Sequence, residues 1–167
     1  MYIYGEGATE NNRQAIHKQR EKQWNNNGNY FTYKADDGEV YDIVFEMKTE
    51  VIDESEVESK MVEGDDYFSL NAKNNFYEVR DDVKASQALT TDKGGNAGVL
   101  KTSDIELQSP AHEENHGYNG VNKDFSKLRV DIGPDIAVPK GNTSAPETRR
   151  VTQGNIDQIF KNIKFDK

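Results

Sequence analysis

The chain has 167 residues and a net charge of −9, with 31% charged and 34% hydrophobic residues and no cysteine. That length fits one domain with a modest core. The acidic balance disfavours nucleic acid and anionic membranes as partners, and the lack of cysteine excludes disulfide staples and thiolate ligands or nucleophiles.

Met1–Thr9 reads as a short aromatic strand followed by a glycine turn. Helical character then runs over Glu10–Trp24, where Trp24 anchors the end before the turn residues Asn25–Gly28. Tyr30–Tyr33 and Val40–Met47 are β-prone runs flanking Asp36-Asp37-Gly38, which predicts a hairpin. Residues 50–66 are dominated by carboxylates and are expected to form a marginal surface helix or an acidic linker or insertion, with a solvated acidic face. Tyr67–Leu70 and Phe76–Val79 predict a second hairpin around Asn74-Asn75, and Ser86–Leu89 a short helix closed by Lys93-Gly94-Gly95. Gly98–Leu100 reads as a brief extended segment. These glycines do not form a phosphate-binding loop, because no G-x-x-x-x-G-K-[S/T] pattern is present. At the end of the chain, Ile156, Ile159, Phe160 and Ile163 recur at helical spacing and predict a terminal helix over 155–163. Eight Tyr, seven Phe and Trp24 supply the bulk of the core.

The feature that carries chemistry lies between these elements. His112-Glu113-Glu114-Asn115-His116 is an H-E-x-x-H pentapeptide in a chain with only three histidines. On a helix, residues four apart stack on one face, so His112 and His116 reach one metal ion while Glu113 flanks the position of a bound water. Ser109-Pro110 stands directly before Ala111 and the motif. Serine is a good helix cap and proline is tolerated in the first turn, so a helix start is predicted there. Gly117 and Tyr118-Asn119-Gly120 predict that it ends soon after His116.

Catalytic zinc takes three protein ligands and keeps one position for water. His17 sits on the early amphipathic segment and is expected to be solvent-facing or partly packed, so a downstream carboxylate is the expected third ligand, with Glu147, Asp124, Asp131 and Asp135 as candidates. Tyr118, Arg149 and Arg150 are candidates for stabilising a developing oxyanion. In such a site Glu113 takes the proton of a zinc-bound water and returns one to the leaving amine.

The run from Ser109 to His116, followed by Ala145–Thr152 and Asn155-Ile156 and preceded by the early Tyr4-Gly5-Glu6-Gly7, resembles the zincin-type metallopeptidase domains of bacterial effectors and of RHS-repeat polymorphic toxins. The resemblance implies a zincin-like fold, Zn2+ as cofactor and Glu147 as the ligand that joins His112 and His116. It also implies a protein or peptide substrate, secretion or delivery into a target cell as the C-terminal part of a larger protein, and a cognate immunity protein. The alternative is a catalytically inactive metallopeptidase-like binding or structural domain, because the polar Glu114 and Asn115 stand where relatives carry apolar residues.

The expected fold is thus one α+β domain over residues 1–167, with antiparallel β hairpins and a short metal-binding helix. No run approaches the length of a membrane span, and nothing near Met1 combines a basic region with an apolar stretch. No membrane insertion is expected, and export would rest on a larger parent protein, a removed signal or another route.

Overall fold

The structure is a computed structural model that describes residues 1–35, 38–60, 74–91, 94–107, 110, 151, 153–154 and 156–157. Strand β1 (Tyr2–Tyr4) leads through a glycine turn into helix α1 (Glu10–Trp24), the span expected from sequence. Thr9 caps the helix by accepting a hydrogen bond from the Asn12 backbone N–H at 3.2 Å, which satisfies one of the donors that the first turn leaves without a partner. The helix stops where Asn26, Asn27 and Gly28 take positive φ, a conformation that Asn and Gly tolerate best.

The buried positions of α1 are Ile16, Arg20, Gln23 and Trp24. Their spacing is that of one helical face, but two of the four are polar, so the apolar stripe looks thin in sequence. Arg20 resolves its burial by donating to Lys48 O at 2.9 Å and to Thr49 Oγ1 at 2.7 Å. Those bonds tie the middle of α1 to the chain just before strand β4 (Glu50–Val51).

The main sheet has the order β4-β1-β5-β7-β6, with β5 at Phe76–Arg80, β6 at Gln87–Thr91 and β7 at Gly94–Lys101. The pairs β4/β1, β1/β5 and β5/β7 are parallel, and β6/β7 is antiparallel. Side chains alternate between its faces. Ile3, Tyr77, Val79 and Leu100 pack with Ile16 of α1 and with Ile105, whereas Phe76 packs with Ile52, Val57, Tyr2 and Tyr4. Gly98 lies opposite Tyr77 in the register, and a Cβ there would come within 2.3 Å of Tyr77 Cε1. The missing side chain is therefore what makes room for a buried ring.

A separate antiparallel ribbon joins β2 (Phe31–Lys34) to β3 (Val40–Ile43), as the Asp-Asp-Gly turn predicts. It packs on a second core in which Trp24, Phe31, Val151 and Ile156 are buried, with Phe45 at 5.1 Å between ring centroids from Trp24. Gln153, Gly154, Ile156 and Asp157 are helical, in line with a terminal helix, and the rest of 155–163 lies outside the described residues.

The architecture is α+β, but two sequence expectations are corrected. Phe76–Arg80 does not form a hairpin arm with Tyr67–Leu70: both of its edges are occupied by parallel neighbours, β1 and β7. Residues 67–70 themselves lie outside the described residues. Ser86–Leu89 is not helical, because Gln87–Thr91 pairs antiparallel with β7, and tertiary pairing overrides the helix preference of Gln-Ala-Leu. Ser86 instead donates its hydroxyl to Asp104 Oδ2 at 3.1 Å and accepts from the Lys101 N–H at 2.9 Å. In the acidic stretch 50–66, the described part carries a short surface helix with a solvated acidic face, one of the two forms expected from sequence. Glu50–Val51 is the edge strand β4, and Asp53 and Glu56 form a capping box that leads into α2 (Val57–Lys60). Ile52 and Val57 are buried while the acidic side chains face out, and residues 61–66 lie outside the described residues. Among the described residues, no helix is long and apolar enough to cross a membrane.

Candidate functional site

His112, Glu113, His116, Tyr118, Glu147 and Arg149 lie outside the described residues, as do Asp124, Asp131, Asp135 and Arg150. What the structure describes is how the chain approaches this stretch and leaves it. From the carboxyl end of β7 the chain enters a 3-10 segment, Thr102–Leu107. Ile105 is buried in the core against Ile16, Asp104 holds the Ser86 N–H and hydroxyl, and Gln19 of α1 donates to Glu106 O at 3.1 Å. Pro110 is helical and buried, which agrees with a helix starting at Ser109-Pro110. On the far side, Val151 and Ile156 are seated against Trp24 at the other end of α1.

The two anchors therefore pack on the middle and on the C-terminal end of α1. Ile16 and Trp24 are about 12 Å apart along the helix at 1.5 Å per residue.

His17, the third histidine, is half-buried on α1, with Nε2 at 3.4 Å from Glu21 Oε1. Nδ1 is buried and makes no hydrogen bond. A partly packed role, as expected from its helical position, describes it. Among the described residues no group of three His, Cys, Asp or Glu side chains is arranged to hold a metal ion.

The shifted carboxylates of the described residues all move downward. Asp82 is held low by hydrogen bonding to Arg80, and Glu50 by Lys48. Glu10 is pulled down to about 2, first by Arg13, which grips its carboxylate through Nε at 2.7 Å and Nη2 at 2.6 Å, and then by Gln14 at 2.9 Å. Each stays ionised near neutral pH, so none is tuned to deliver a proton as a general acid there. The Glu78-x-Arg80-x-Asp82 cluster at the end of β5 was not singled out by the sequence reading, although its alternate spacing on a strand was the available signal. It is a partly exposed ion-pair network, open to solvent screening at Asp82.

Glu10 gives a pH prediction. Its folded pKa lies below the ordinary 4.5, so the stabilisation is complete above that value and is lost as pH falls towards about 2. Thermal midpoints of wild type and Glu10→Gln should differ near neutral pH and converge through that window. A difference that stays constant at every pH would show that ionisation of Glu10 contributes no stability.

No family model, no curated protein and no solved structure matches the chain.

Proposed function

We propose that this chain is a zincin-type metallopeptidase domain that hydrolyses peptide bonds, delivered as part of a larger secreted effector or toxin. The observation that carries the reading is the H-E-x-x-H spacing, which concentrates two of the three histidines of the chain around Glu113. The donor set is appropriate: two imidazole nitrogens from His112 and His116 and a carboxylate oxygen from Glu147 make the three-ligand complement of a catalytic zinc. When bound, zinc supplies Lewis-acid polarisation of the scissile carbonyl and lowers the pKa of water.

The protein groups do the rest. Glu113 accepts the proton of the attacking water and hands it to the leaving amine. Tyr118 and Arg149 are donors suited to the developing oxyanion. The substrate is a protein or peptide, and a cognate immunity protein is the partner that a delivered toxin requires in its producer. A second reading, a metallopeptidase-like binding or structural domain without turnover, draws on the polar Glu114 and Asn115 inside the motif.

Metal analysis of purified wild type, His112→Ala and His116→Ala tests the proposal. About one zinc per chain is expected in the wild type, as for a mononuclear site, and most of it should be lost in either variant. Equal metal content in all three proteins would remove the histidines from the site.

A further inference from the structure

Among the described residues, the ribbon formed by β2 and β3 has one edge closed at Thr32 and the other without a partner strand. In the register Ala35↔Glu39, Tyr33↔Tyr41 and Phe31↔Ile43, the odd-numbered residues exchange backbone hydrogen bonds across the ribbon, and the even-numbered backbone groups point outward. Two side-chain amides confirm this parity. Gln153 accepts from the Thr32 N–H at 3.1 Å and donates to Thr32 O at 2.7 Å, which closes the outer edge of β2. Asn25 does the same for Phe45, donating to its carbonyl at 2.9 Å and accepting from its N–H at 2.7 Å, on the side of β3 that faces β2.

The other edge of β3 has no such closure among the described residues, where the ribbon is two-stranded. By the parity of the register Val40 and Asp42 direct their main-chain groups there; Val40 is 60% exposed, and Val44, just past the end of β3, is 65% exposed. Glu39, Asp42 and Glu46 are also exposed. Charged side chains on such edges disfavour pairing with like-charged strands. Here carboxylates alternate with valines over Val40, Asp42, Val44 and Glu46, which leaves a strand of opposite charge as the matching partner.

We propose that the outer edge of β3 is a strand-addition site for an extended peptide segment in which basic and apolar residues alternate. An antiparallel strand paired there sets apolar side chains opposite Val40 and Val44 and cationic ones opposite Asp42 and Glu46. A second copy of the chain is disfavoured as the occupant, because it would bring carboxylates against carboxylates on a protein of charge −9. The site stands apart from the zinc reading and is tested by binding alone.

The probe is the end-blocked, fluorescently labelled peptide Thr-Lys-Thr-Val-Thr-Lys-Thr-Val-Thr, with a version in which Glu replaces Lys as control. Anisotropy titration of the full chain should give saturable, salt-sensitive binding of the Lys peptide and none of the Glu peptide. Asp42→Lys, at an exposed position, should weaken binding of the Lys peptide about tenfold, the scale of exchanging a cross-strand ion pair for a like-charge contact. It should also favour the Glu peptide. Circular dichroism of the variant shows whether the fold is kept, and Val44→Lys provides a second exposed substitution that should weaken the Lys peptide. The proposal is overturned if the wild type binds neither peptide or both alike, if folded Asp42→Lys binds as the wild type does, or if sedimentation shows a dimer through this edge.

Discussion

Glu113→Gln should lower peptide hydrolysis by about 100-fold or more, the scale of losing general acid–base assistance, while zinc content and folding stay near those of the wild type. Gln preserves the size and much of the hydrogen-bonding capacity of Glu but removes the carboxylate that accepts a proton. The position directly after His112, between the two proposed ligands, motivates the substitution. The comparison requires both proteins zinc-loaded and a peptide that the wild type cleaves, with kcat/KM as the readout. Equal turnover would take the base role away from Glu113. Stoichiometric zinc in a wild type that cleaves no member of a broad protein panel would favour the domain without turnover.

Trp24→Ala should lower stability by about 3–5 kcal/mol, the range for truncating a large buried aromatic to alanine. For a chain of this size that corresponds to a fall in Tm of roughly 6–20 °C. Trp24 is fully buried and holds together three parts that are distant in sequence: the end of α1, Phe31 of β2, and Val151 with Ile156 near the end of the chain. Its loss leaves a cavity where these parts meet, and Phe45, at 5.1 Å between centroids, loses its ring partner. Thermal unfolding followed by circular dichroism measures the effect. A midpoint within a degree or two of the wild type would contradict the role of this cluster.

What the sequence discloses follows from how local each cause is. Helix α1 is legible to the residue because Thr9 and the Asn25–Gly28 turn act within one helical turn of its ends. The β2/β3 ribbon is legible because a turn signal sets its register. The parallel pairings of β1 with β4 and β5 are not, since a strand of three residues gains its partners from positions about fifty and seventy-five residues away, and nothing within the strand names them. For the same reason Phe76–Arg80 resembles a hairpin arm until its two parallel neighbours are seen, and Gln87–Thr91 resembles a helix until β7 lies beside it. The candidate site divides along the same line. His112, Glu113 and His116 are joined by local spacing, whereas Glu147 is separated from them by a long stretch of chain, and its assignment comes from the resemblance alone.

The central claim is that the chain holds one catalytic zinc, and titration of the metal-stripped protein with zinc tests it most directly. The account predicts saturable uptake of about one ion per chain. Protons are released on binding where the ligands must lose them first, and uptake falls sharply in His112→Ala and His116→Ala. No specific uptake by the folded wild type, or uptake that survives removal of both histidines, would contradict it.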